Sequence, residues 1–150
     1  MAKIKFTRVK STVADAVGEA WAELESLKDE FREMHDNCNE GLQQTQKMQT
    51  VDETASTLEN MSEPEVPDWL CPTEVTIQRW ANARKGRGLS RADRCGQACD
   101  IIDSVVTELE SEAKVDGVDQ DKKEAVEALR DALEEIRNEA EGLEFPGMYG

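Results

Sequence analysis

The sequence predicts an all-α protein, a helical bundle with a long N-terminal amphipathic helix and a C-terminal antiparallel helix hairpin. Three segments of the 150-residue chain repeat apolar residues at alternating steps of three and four, the spacing of one helix face. Each segment follows a Ser, Thr or Asp whose side chain can accept from a first-turn amide. A connection of only a few residues joins the last two segments, which predicts antiparallel neighbours.

The longest predicted helix covers residues 11–38 and is capped by Ser11 or Thr12. Its apolar stripe keeps the a/d spacing of a coiled coil or bundle helix for nearly four heptads. Because a stripe this narrow is not stable alone in water, it must pack on other helices or on a second chain. We therefore expect a self-association seam, with central members Val17, Leu24, Leu27, Phe31 and Met34.

The middle of the chain is less regular. A capping box at Thr50 and Glu53 predicts a second helix over 51–61, and two prolines follow it. After Pro72 we expect a short helix over 74–83, although the alternation of Val75 and Ile77 also allows a strand.

Two further helices are predicted at the C-terminal end, the first after Ser90 and the second after Asp119. The predicted organisation is a basic N-terminal segment (1–10), a helical arm (11–62), a Pro-containing connector with a short helix and a basic loop (63–89), a helix hairpin (90–143) and a tail (144–150).

Charge excludes several functional classes. Thirty-three acidic residues against 18 basic ones give a formal net charge of −15, which argues against a surface that grips nucleic acid as a whole. No run is long and apolar enough for a membrane span, and the N-terminus lacks the apolar core of a signal peptide. We expect a cytoplasmic protein without membrane contact, whose four cysteines are reduced.

The cysteines also suggest a metal site as a minor alternative. His35 and Cys38 lie one turn apart, as do Cys95 and Cys99, so together they provide four N/S ligands of the kind zinc prefers. Against a metal, the cysteines continue the apolar stripes of their helices, where small buried residues are expected. No nucleophile motif, phosphate loop or second histidine is present, so we expect neither catalysis nor a cofactor.

A basic island at residues 79–94 interrupts the acidic chain. It leads into the predicted helix N-terminus near Ser90, where free amides favour phosphate. We expect a phosphate-bearing or acidic partner here, bound by Trp80, Arg84, Lys85, Arg87, Arg91 and Arg94. The alternative is that these bases neutralise acids on neighbouring helices.

The acidic helix faces support a different interpretation. Rows of Glu and Asp can imitate the charge spacing of nucleic acid, so the chain could act as a mimic that inhibits a host nucleic-acid-binding defence protein. Many helical proteins are equally acidic for solubility alone.

Four pieces of the sequence resemble uncharacterised small acidic proteins of tailed bacteriophages: Asp36-Asn37, Leu58 to Pro67, Ser90 to Arg94, and Glu144 to Tyr149. The resemblance covers about half the chain and carries no catalytic residues. It implies a viral accessory or structural protein in an infected bacterial cytoplasm or in a virion. The sequence therefore predicts a non-enzymatic, oligomeric protein that acts through helix-mediated interaction, with a small ligand- or metal-dependent enzyme as a remote alternative.

Overall fold

A computed structural model describes residues 4–38, 41, 45–83, 88–114 and 119–145 of the chain. These residues form four helices and one two-stranded antiparallel sheet, so the protein is mostly helical but not all-α. In chain order the elements are β1 (Ile4–Thr12), α1 (Val13–Asp36), α2 (Gln46–Glu59), β2 (Glu74–Asn82), α3 (Arg91–Ala113) and α4 (Gln120–Glu141).

The sheet corrects the prediction for two segments. Residues 74–82 form a strand instead of a short helix, and their partner is the N-terminal basic segment, for which we predicted no regular structure. The register sets Phe6 opposite Trp80 and Val9 opposite Ile77. Val75 and Ile77 are both buried, so the period of two between them did indicate a strand face. Strand pairing satisfies the backbone here, and β-branched residues favour it.

Three of the four helix starts agree with the capping residues that the sequence predicts. The Oγ1 of Thr12 accepts from the amide of Asp15 at 3.2 Å, and the Oγ of Ser90 accepts from Asp93 at 3.1 Å. The carboxylate of Asp119 accepts from Lys122 at 2.8 Å. Each cap satisfies an amide that has no partner within its helix.

The start of α2 differs from the prediction. Thr45 caps it, five residues before the predicted Thr50 capping box. Thr50 lies inside the helix, where its hydroxyl donates to the carbonyl of Gln46 at 3.1 Å. The residues just before Thr50 are mainly polar, since α2 packs on α1 mainly through residues further along. The apolar pattern therefore did not indicate that the helix starts before Thr50.

The core is organised around α3, which packs on α1, α4 and β2. Its pairing with α4 is antiparallel: Cys95, near the start of α3, lies against the carbonyl of Ala140, near the end of α4. One large cluster joins β2 to these three helices, and a smaller cluster of Phe31, Val51 and Ala55 fixes α2 to α1.

Candidate functional site

The basic island does not form one free cationic surface in the part of the chain that the structure describes. The guanidinium of Arg94 contacts two carboxylates of α1, Glu23 and Glu30, each at 2.7 Å. Arg91 reaches the same Glu30 at 3.2 Å. These contacts agree with the alternative interpretation, in which the arginines neutralise acids on a neighbouring helix.

Arg94 and Glu30 change each other's proton affinity. The hydrogen bond from Arg94 is the largest influence on Glu30, and it lowers the pKa of that carboxyl. The same hydrogen bond raises the pKa of Arg94. Both side chains are only partly accessible, so the pair holds α1 against the first turn of α3.

Trp80 and Arg79 also have partners within the chain. The indole Nε1 of Trp80 donates to Asp100 at 3.0 Å, and its backbone amide donates to the side chain of Gln97 at 2.6 Å. Arg79 forms an ion pair with Glu19 at 2.8 Å. Trp80 is therefore held against α3, and its part in binding a partner stays a prediction. Arg84, Lys85 and Arg87 lie outside the described residues.

A cluster of exposed cations lies instead on β1. Lys5, Arg8 and Lys10 are exposed, and none of them forms an ion pair with any residue that the structure describes. Because side chains alternate along a strand, Arg8 and Lys10 share one face with Phe6, which is 57% exposed. The charge of residues 1–10 is visible in the sequence, whereas its arrangement along a strand is not.

We call the paired strands the β1–β2 ribbon. Arg8 lies opposite Gln78 of β2, and Lys10 lies opposite Thr76, so neither cation faces a charged residue across the ribbon. The one acidic residue of the ribbon is Glu74, at its far end opposite Thr12. The ribbon is thus a local cationic surface on a strongly acidic chain.

A groove of about 590 Å³ lies beside the ribbon, lined by aromatic and charged groups of β1, β2, α3 and α4. Its lining includes Phe6, Trp80, Cys99, Asp103, Arg137 and Phe145. Arg137 pairs with Asp103 at 3.0 Å and also with Glu141. A single guanidinium thus meets two carboxylates, so these charged groups of the groove are held to one another within the protein.

The thiols of Cys95 and Cys99 are buried at the edge of this groove. Contact with Cys95 is the main cause that lowers the pKa of Cys99, and the charge of Arg137 acts in the same direction. The pKa of Cys95 is raised by the same contact and by burial. None of the four cysteines, all of which lie among the described residues, forms a disulfide.

The structure does not bring together the four residues of the zinc alternative. Cys95 and Cys99 face carbonyls of α4. His35 and Cys38 follow Glu30, the residue at which Arg91 and Arg94 contact α1. Within the described ranges, no group of three or more His, Cys, Asp or Glu side chains is arranged to hold a metal.

The predicted seam packs inside the chain. Val17, Leu24, Leu27 and Phe31 are buried among residues of the same molecule. Met34 is partly buried against the cluster of Phe31. Self-association stays a prediction, but this apolar face is already covered and does not offer a free surface for it.

Comparison of the chain with family models, with curated proteins and with solved structures finds no match. Among the helices that the structure describes, none has the length and apolar character needed to cross a membrane.

Proposed function

We propose that this chain is a non-enzymatic interaction protein that contacts an anionic partner through the exposed cations of its β1–β2 ribbon. The observation that carries this proposal is the contrast between two sets of cations. The arginines of α3 are paired with carboxylates of α1, whereas Lys5, Arg8 and Lys10 are exposed without ion pairs among described residues. An accessory or structural role of the kind implied by the resemblance to phage proteins is compatible with this activity.

Unpaired surface cations suit binding for a physical reason. They attract an anionic partner over about a Debye length, roughly 8 Å at physiological ionic strength. These cations can also contact the partner without first breaking an ion pair within the protein. Arg84, Lys85 and Arg87 follow β2 in the sequence and remain part of this proposal on sequence grounds.

The test is retention on immobilised heparin, a generic polyanion, for wild type and for the variant Lys5→Glu, Arg8→Glu, Lys10→Glu. We expect wild type to bind at low salt and to elute as the salt rises, because screening weakens surface contacts. The triple variant should not bind. It should keep its helical circular dichroism spectrum, since the three side chains lie outside the core.

A matched control changes three cations elsewhere: Lys47→Glu, Lys114→Glu, Lys123→Glu. This variant has the same net charge as the ribbon variant, and these lysines form no ion pair with described residues. It should still bind heparin. Equal loss in both variants would show that net charge alone controls retention, and a wild type that does not bind would contradict the proposal.

The acidic mimic remains a second candidate, favoured by exposed carboxylates on α4. Glu134, Glu135 and Glu139 are exposed and form no ion pair with described residues. A mimic should bind a nucleic-acid-binding protein in competition with duplex DNA. That binding should weaken in a variant with these three residues changed to Gln and persist in the ribbon variant, which is the opposite of the result expected above.

A further inference from the structure

The two edges of the β1–β2 sheet have different surroundings. β2 packs against α3, where the backbone amide of Trp80 donates to Gln97 and the indole donates to Asp100. The other edge belongs to β1, and β2 is its sole strand partner among the described residues. The outward backbone groups of β1 are therefore available for pairing with a further strand.

The side chains along β1 indicate which kind of strand would fit. Arg8 and Lys10 are two residues apart, so both point to the face that also carries the exposed Phe6. Directly opposed residues on neighbouring strands interact most strongly, and opposite charges stabilise such pairs. A strand with acidic side chains at alternate positions would place them opposite Arg8 and Lys10.

We propose that an acidic, extended segment of a partner protein adds to the free edge of β1 as a third strand. This inference rests on the proposed function and names its partner class. Main-chain hydrogen bonds along the nine residues of β1 would hold the segment, and the cations would select it by charge.

Two other occupants fit the same edge less well. A second copy of β1 would bring the Lys and Arg side chains of two strands close together, and repulsion between like charges destabilises strand pairing. Duplex nucleic acid is a rigid polyanion, so it would also approach acidic side chains of the body, which carry most of the chain's net charge of −15. A single extended peptide contacts only the strand edge.

The experiment uses a fluorescein-labelled nine-residue peptide in which Glu and Thr alternate, titrated with the full chain at low salt and followed by anisotropy. Two further peptides carry N-methyl groups on one or the other alternate set of amides. Because alternate amides of a strand point to opposite edges, one methylated set blocks the edge that faces β1 and the other leaves it intact. We expect one methylated peptide to bind at least tenfold more weakly than the parent and the other to bind within about twofold.

Amide hydrogen exchange provides an independent measurement. Saturation with the parent peptide should slow exchange at alternate residues of β1 and leave α2, which packs on α1, unchanged. The ribbon variant Lys5→Glu, Arg8→Glu, Lys10→Glu should not bind the peptide, whereas the control variant at Lys47, Lys114 and Lys123 should.

The outcomes separate this inference from the proposed function. Equal binding of all three peptides, or no peptide binding by a protein that heparin retains, would overturn strand addition and leave the anionic partner intact. Tighter binding of a 20-base-pair duplex than of the peptide would also overturn it, in favour of nucleic acid. A dimer in sedimentation that the peptide dissociates would assign the edge to a second copy. Failure to bind heparin and peptide alike would reject both proposals.

Discussion

At the scale of single residues, the contact between Gly96 and Trp80 positions β2 on the helical body. A Cβ at residue 96 would lie 3.0 Å from both Cη2 and Cζ3 of the indole, closer than ordinary van der Waals contact. The indole cannot easily retreat, because its Nε1 is bonded to Asp100 and its backbone amide to Gln97. The absence of a side chain at Gly96 therefore lets α3 and the ribbon approach each other closely.

We expect Gly96→Ala to lower the free energy of unfolding by about 1 kcal/mol. Overpacking a close contact costs about 1–3 kcal/mol, which exceeds the gain of about 1 kcal/mol from the better helix propensity of Ala. Gly18→Ala is the control: Gly18 is exposed on α1, and a Cβ there meets nothing within 4 Å. That change should stabilise the protein by about 0.5–1 kcal/mol. Urea denaturation of both variants measures the difference, and stabilisation by both would contradict the close contact.

At the scale of elements, the pair formed by Arg94 and Glu30 connects α3 to α1 and makes this junction sensitive to acid. The pKa of Glu30 is lowered, so its carboxylate stabilises the fold at neutral pH. That contribution is complete above about pH 5 and is lost as the pH falls through the lowered pKa.

Glu30→Gln should therefore destabilise the protein at pH 7 by about 1 kcal/mol, a value limited by the partial exposure of both partners. The difference from wild type should shrink as the pH is lowered, because wild-type Glu30 then becomes neutral too. Glu25→Gln, at an exposed position of the same helix, should change stability by less than about 0.5 kcal/mol at either pH. Urea titrations at pH 7 and pH 3 measure both, and a deficit that grows in acid would refute the assignment.

The individual helices and strands differ in how well they could be predicted from the sequence. Helices α1, α3 and α4 were predictable, because each carries a long periodic stripe and a local capping residue. The β1–β2 ribbon was not, because its strands lie about 60 residues apart in the chain, so no local pattern connects them. The candidate site was likewise predictable only in part. The charges of residues 1–10 are visible in the sequence, whereas the pairing of Arg91 and Arg94 with α1 depends on how the helices pack.

At the scale of the whole molecule, the net charge of −15 should dominate the response of stability to salt. Each ion pair is partly exposed and contributes little, whereas repulsion acts among all the carboxylates. We expect the melting temperature to rise from millimolar salt to about 0.15 M, where the Debye length is roughly 8 Å. The two triple variants, which are more acidic, should show a steeper rise. A melting temperature that falls over this range would show that attractive pairs dominate.

The pairing of Ile4 with Asn82 has a consequence for how the chain is made. At about 5–20 residues per second, roughly 4 to 16 s separate the synthesis of these two partners on the ribosome. During that interval β1 has neither edge paired and could join strands from other nascent chains. Lys5, Arg8 and Lys10 discourage such pairing, because charged side chains on a strand oppose edge-to-edge aggregation. The cations that we assign to partner recognition thus also protect the nascent chain from aggregation until β2 has been synthesised.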